Sequence, residues 1–147
     1  MKELATGRPG AGNEREKPNE PPCLVRVYGG YRAIEEVLNS IKEEIYRYNE
    51  VASRRGYYLK PVHKVYKRDE AGRVRVFEYY GRYWWRKGDG KLIYAGTEKP
   101  RGLPDPPENP LEGFSVIREG DDVVVPCELY DRFSEVFRGY RAERVGA

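Results

Sequence analysis

The run from Tyr31 to Arg55 carries apolar side chains at Ile34, Leu38, Ile41, Ile45, Tyr48 and Ala52. Alternating steps of four and three place all six on one stripe of an α-helix. Glu35, Glu36, Lys42, Glu43 and Glu50 fall off that stripe. Arg54, Arg55 and Gly56 then close the run, with cations in the last turn and a glycine where the chain can take a left-handed cap. A long helix with a single apolar face must lie on another layer of structure.

The residues after Gly56 can form that layer, because the period changes from helical to alternating. Tyr58–Arg68 leads into a turn at Asp69-Glu70-Ala71-Gly72, and Arg73–Tyr80 follows with β-branched and aromatic residues. Gly81 marks a bend or bulge, and Arg82–Lys87 continues the strand. Gly88-Asp89-Gly90 turns the chain back into Lys91–Ala95, which predicts an antiparallel meander. Cys23–Tyr28 reads as a short strand before the helix. Five prolines between Pro100 and Pro110 make a stiff connection. Phe114–Arg118 and Val123–Val125 then form a second hairpin around Glu119–Asp122. Pro126 can open a short helix with Leu129, Phe133, Val136 and Phe137 on one stripe, ending at Gly139. The expected fold is α+β. An antiparallel sheet, meander plus hairpin, packs on one long amphipathic helix and a short C-terminal helix, in a single domain over 23–139. Residues 1–22, rich in Gly, Pro, Glu, Asn and Lys, are expected to be a disordered tail. Residues 140–147 read as a short charged tail.

Charge is distributed unevenly. Arg54 to Lys91 holds 12 Lys and Arg against 4 Asp and Glu, together with 9 of the 19 aromatic residues and both tryptophans. The net charge of the whole chain is only +3, so the remainder is mildly acidic. No apolar run is long enough to span a bilayer, and Met1–Pro22 lacks the apolar core of a secretory signal. A cytoplasmic protein with no membrane association is expected. Charged residues make up 35% of the chain, glutamine is absent and methionine occurs once. That is a thermophile-like bias. Cys23 and Cys127 have no metal-ligand spacing. They read either as two buried thiols or as a disulfide tying the N-terminal arm to the C-terminal helix, which a hyperthermophile cytosol permits.

Side chains alternate across a strand. If Asp69–Gly72 closes the hairpin, Arg68 lies near Arg73 and Val65 near Val76. One face then holds Val65, Val74 and Val76 and packs on the helix. The other holds Lys64, Tyr66, Arg68, Arg73, Arg75, Phe77 and Tyr79. Past Gly81, Tyr83 and Trp85 share that second face, with Trp84 and Arg86 opposite, unless a bulge reverses them. Both tryptophans therefore stay candidates, with Arg82 and Arg86 as further cations. Rings interleaved with cations suit single-stranded nucleic acid. Each base stacked on an aromatic side chain is worth about 1–3 kcal/mol, and guanidinium groups bind phosphate. Such a surface reads little sequence. An acidic protein surface is the rival partner.

Signals for catalysis are sparse. His63 is the only histidine and has no partner motif. Asp121-Asp122 sits in a turn, and Gly7–Gly12 lacks the strand and the Lys-Ser/Thr of a phosphate loop. No catalytic residue, metal or cofactor is expected. The alternatives to nucleic-acid binding are an interaction or oligomerisation module using the aromatic sheet, and a nuclease-like enzyme.

The long helix ends in Tyr46-Arg47-Tyr48-Asn49-Glu50. An aromatic-basic sheet with Tyr79-Tyr80-Gly81-Arg82-Tyr83-Trp84-Trp85 follows, and then a C-terminal helical piece. Over roughly residues 23–139 this order resembles the ThermoDBP group, single-stranded-DNA-binding proteins of hyperthermophilic archaea unrelated to OB folds. The resemblance implies an antiparallel sheet against helices, non-sequence-specific binding of single-stranded DNA and homo-oligomers with strands held between subunits. RNA stays open as a ligand, because no residue type announces contact with a 2′-hydroxyl. The group's prototype carries an extended C-terminal coiled coil. Here the last helix, Cys127 to Arg138, spans only about three turns, so an oligomer would have to use the globular surface.

Overall fold

The computed structural model describes residues 22–145. The tail expected over 1–22 lies almost wholly outside them. The fold is α+β. Strand β1 (Leu24–Val27) leads into helix α1 (Tyr31–Ala52), which ends in a 3-10 turn (Ser53–Arg55). Gly56 caps it with φ 87°, the left-handed conformation that glycine adopts without a Cβ clash. Then come β2 (Tyr57–Arg68), β3 (Val74–Gly88), β4 (Lys91–Gly96), β5 (Ser115–Glu119) and β6 (Asp122–Pro126). Two short helices, α2 (Cys127–Arg132) and α3 (Ser134–Phe137), precede β7 (Ala142–Val145). All seven strands form one antiparallel sheet in the order β2-β3-β5-β6-β1-β7, with β4 alongside β3.

Helix α1 buries Tyr31, Ala33, Ile34, Val37, Ile41, Tyr48 and Ala52, and Leu38 and Ile45 pack at its margins. Two cores form along it. The first joins Ile34 and Val37 to Val25, Val27, Val116, Val123, Val125, Leu129 and Phe137. Since Leu129 and Phe137 belong to α2 and α3, these short helices share the α1 side of the sheet. The second core joins Tyr48 and Ala52 to Leu59, Trp84 and Leu103. The proline-rich connection is more than a spacer. It carries Leu103 onto Trp84 and Leu111 into the first core, and the carbonyl of Pro104 accepts a 2.6 Å hydrogen bond from the Tyr48 hydroxyl.

Three expectations are corrected, and the open alternative for the two cysteines is decided. The final helix is broken at Phe133 (φ −110°, ψ 35°), so α2 and α3 replace one three-turn helix. The expected C-terminal tail forms β7, which pairs with β1 from Leu24↔Val145 to Val27↔Ala142 and extends the domain past residue 139. Cys23 and Cys127 form a disulfide, which excludes the reading as two thiols. Finally, the β2–β3 register differs by one residue, pairing Arg68 with Val74 and Val65 with Phe77. The cause is the turn. Asp69 N–H donates to Arg73 O, and Arg73 N–H donates to Asp69 Oδ1. The turn therefore has five residues and includes Arg73, with Gly72 at φ 85°.

Candidate nucleic-acid interface

An odd shift in register exchanges the partners of every strand position. On β3 the predicted alternation holds from end to end: Glu78, Tyr80 and Trp84 are buried on the α1 side. Arg75, Phe77, Tyr79, Tyr83 and Trp85 therefore point away from the helices. On β2 the faces are swapped relative to expectation. Lys64, Tyr66 and Arg68 pair with Glu78, Val76 and Val74 on the helix side. His63, Val65 and Lys67 join the outward face opposite Tyr79, Phe77 and Arg75. The single face expected from sequence is thus divided. Nor do Val65, Val74 and Val76 hold the sheet to the helix. Leu59, Val62, Tyr80 and Trp84 do so, while Val74 is exposed.

A second irregularity sets the other half of the face. The β2–β3 register shifts between Lys60 and Val62. Pro61 sits there, and proline has no N–H to give to a ladder. Leu59 and Val62, three residues apart, both reach the core, so the alternation of β2 reverses across Pro61. Asn109 closes the gap, its Nδ2 donating to Pro61 O at 3.1 Å and Gly81 O at 3.3 Å. Tyr83 then pairs with Lys60, and Trp85 with Tyr58, on the outward side. Gly81 does not reverse the tryptophans. Trp84 is 0% exposed, with the ring of Tyr48 at 5.9 Å, and cannot meet a ligand. Trp85 is the outward one.

The outward face carries a connected set of rings. His63 lies 6.5 Å from Tyr79, 5.5 Å from Tyr83 and 6.4 Å from Tyr94 between centroids. Tyr94 meets Trp85 edge-on at 5.2 Å. The ring of Tyr83 lies over Gly81, 3.6–3.7 Å from where a Cβ would stand. Cations cover ring faces: Lys60 Nζ at 4.8 Å from Trp85, Lys67 Nζ at 4.9 Å from Phe77 and Lys87 Nζ at 5.4 Å from Tyr58. From Phe77 to Lys87 this surface runs ~33 Å along β3. Partial burial among the rings holds the His63 imidazole below its ordinary value, which keeps it a neutral planar ring at pH 7.

The predicted phosphate contacts fare unevenly. Arg75 Nε pairs with Glu119 at 2.9 Å, and the same glutamate binds Arg26. Arg73 is 3.6 Å from Asp69, and Arg82 faces Glu112 at 3.4 Å on the helix side. Lys64 Nζ stands 3.9 Å from Glu78. Arg68 donates to Gly72 O within the turn. Arg86 is exposed on the side opposite Trp85. Tyr66, at 67% exposure, lies on the helix side opposite Val76. Of the sequence candidates, the sheet gathers Arg75, Phe77, Tyr79, Tyr83 and Trp85. It adds Lys60, His63, Lys67, Lys87 and Tyr94, which sequence reasoning missed. The signals available for these were separate: the β3 alternation continued past Trp85 reaches Lys87, pairing with Trp85 brings Tyr94, the turn length sets His63 and Lys67, and Pro61 marks where the alternation of β2 reverses next to Lys60.

No helix among the described residues is long and apolar enough to cross a membrane. Compared with protein-family models, curated proteins and solved structures, the chain matches none.

Proposed function

We propose that this protein binds single-stranded nucleic acid, DNA in the first place, on the outward face of β2, β3 and β4. The observation that carries the reading is the set of rings His63, Tyr79, Tyr83, Trp85 and Tyr94 on a sheet face away from all the helices, with lysines over neighbouring rings. A core would not interleave cations with rings, and a solvated face has no need of so many rings. Bases stack on the rings, Lys60, Lys67 and Lys87 meet phosphates, and little sequence is read. The protein acts by binding, without catalysis, in the cytoplasm. The reading agrees with what the resemblance to the ThermoDBP group implied.

The test is tryptophan fluorescence. Oligo-dT should quench Trp85 and leave Trp84 as a constant background, and salt should reverse the quench as counterions rebind. Trp85→Phe should remove the change without unfolding the protein. No quench at low salt would sink the stacking proposal, and metal-dependent cleavage of the oligonucleotide would favour an enzyme. Parallel titrations with oligo-rU and duplex set the ligand class.

One observation favours a second reading. Val65, Phe77 and Ile117, each half-buried, stand side by side across three strands of the same face, and buried Val124 continues the row. An apolar row of this kind suits a protein partner. Saturable binding of a folded protein that oligo-dT does not displace would support it.

A further inference from the structure

On the outward face the fixed cations flank a neutral middle. Lys60 and Lys67 of β2 stand seven residues apart, a span of ~23 Å. The side chains paired with that stretch on the outward side of β3 are Phe77, Tyr79 and Tyr83, all uncharged. Lys64 and Arg82 fall on the helix side, beside Glu78 and Glu112. Arg75 lies past the far end, 2.9 Å from Glu119. A single strand laid along this face carries several phosphates across a stretch with no fixed positive charge. His63 stands within it, three residues from Lys60 and four from Lys67.

We infer that His63 is a conditional phosphate contact: it takes up a proton as a single strand binds and pairs with a phosphodiester, so that binding tightens as pH falls below about 7. The inference rests on the proposed nucleic-acid reading and gives one of its rings a second role. His63 is exposed, and among the described residues neither imidazole nitrogen has a hydrogen bond or an ion pair. Both nitrogens can donate once the ring is protonated. The groups that face it are the phenols of Tyr79 and Tyr83 from β3 and of Tyr94 from β4, at 5.5–6.5 Å between ring centroids, with Lys60 and Lys67 along its own strand. Among the described residues β2 has no further strand on its other side, and no carboxylate belongs to this set. In the free protein the rings desolvate the imidazole and keep it neutral at pH 7, and no acid beside it stabilises the charged form. A phosphodiester supplies that missing counter-charge through a charge-assisted hydrogen bond. Phenols and lysines ordinarily titrate near pH 10 and carboxylates near pH 4, so His63 is the group of this face that changes charge between about pH 5.5 and 7.5.

Titration of Trp85 fluorescence with oligo-dT between about pH 5.5 and 7.5 tests this, because neither thymine nor the phosphodiester changes charge over that range. Affinity, taken from the midpoint at each pH, should rise about tenfold from the upper to the lower limit, the gain when binding shifts one protonation equilibrium by about one pH unit. Calorimetry at about pH 6.5 in two buffers of different ionisation enthalpy should show a proton taken up with the strand. His63→Phe keeps a ring and removes the titrating nitrogens. The site is exposed, so circular dichroism should be unchanged, and the affinity of this variant should no longer vary with pH. His63→Lys, a fixed cation, should give a flat profile as well. An affinity for oligo-dT that is the same at every pH, binding without proton uptake, or a pH slope that survives in His63→Phe would overturn the inference and leave the nucleic-acid reading standing. No quench at any pH would overturn both.

Discussion

Glu78 is fully buried between β3 and α1, and its removal is the perturbation with the clearest energetics. The Tyr31 hydroxyl lies 3.0 Å from its Oε1 and 2.9 Å from its Oε2, and the Tyr80 hydroxyl donates to Oε1 at 2.8 Å. Lys64 Nζ stands at 3.9 Å. Glu78→Ala removes the acceptor of two buried hydroxyls, each costing about 1–3 kcal/mol when unpaired. It also leaves a small cavity worth about 1 kcal/mol. The expected loss is roughly 3–7 kcal/mol, a fall in Tm of about 10–20 °C for a chain of this size. Glu78→Gln keeps a carbonyl acceptor and should cost only about 1–2 kcal/mol. The combination Glu78→Leu, Tyr31→Phe, Tyr80→Phe removes the carboxyl group and both hydroxyls together, leaving only the half-exposed Lys64, and should recover most of the stability, because a buried polar set is often no better than its apolar replacement. Guanidinium unfolding followed by far-UV circular dichroism gives all three values. If Glu78→Ala proved as mild as Glu78→Gln, or the triple variant no better than Glu78→Ala, the carboxylate would not be what pins β3 to the helix.

Three further outcomes follow from the same geometry. Burial first, and then the neighbouring Glu78, raise the phenols of Tyr31 and Tyr80 above their ordinary value. Groups raised in the folded state stabilise it fully below about pH 10 and lose that contribution above it, at about 1.4 kcal/mol per pH unit each. The denaturation midpoint should therefore drop between about pH 10 and pH 11, less so in Tyr80→Phe; a flat midpoint would contradict the burial argument. The Cys23–Cys127 bridge closes a separation of 104 residues, so reduction should cost about 3–5 kcal/mol in the chain-entropy account. Equal urea midpoints with and without reductant would argue against that. Gly81→Ala brings a Cβ to ordinary contact with the Tyr83 ring, whereas the branched side chain of Gly81→Val must lift it. Affinity for oligo-dT should fall roughly tenfold in the valine variant and hardly at all in the alanine variant. Equal affinities would remove Tyr83 from the binding surface.

Helix α1 and the alternation of β3 were legible because both are local periods. Ile34, Ile41, Tyr48 and Ala52 declare one helical stripe, and Arg75, Phe77, Tyr79, Tyr83 and Trp85 declare one strand face, without reference to other parts of the chain. The turn at Asp69 was legible in place but not in length. A single extra residue, Arg73, carried Lys64, Tyr66 and Arg68 to the helix side and brought His63 and Lys67 outward. The burial of Trp84 depends on Tyr48 from α1 and Leu103 from the proline-rich segment, both remote in sequence. The charge excess from Arg54 to Lys91 was plain, yet Glu119, Glu112 and Glu78 take up Arg75, Arg82 and Lys64 from three directions.

The sequence by itself determined helix α1, strands β1 to β6 and which side chains of β3 share a side, since those follow from backbone geometry repeated residue by residue. Only the tertiary structure decided which strands' faces coincide, which ring is buried and which cation is paired. Those outcomes turn on a one-residue turn length, a proline that breaks the ladder, and partners tens of residues away. Each is a single event that no local period encodes.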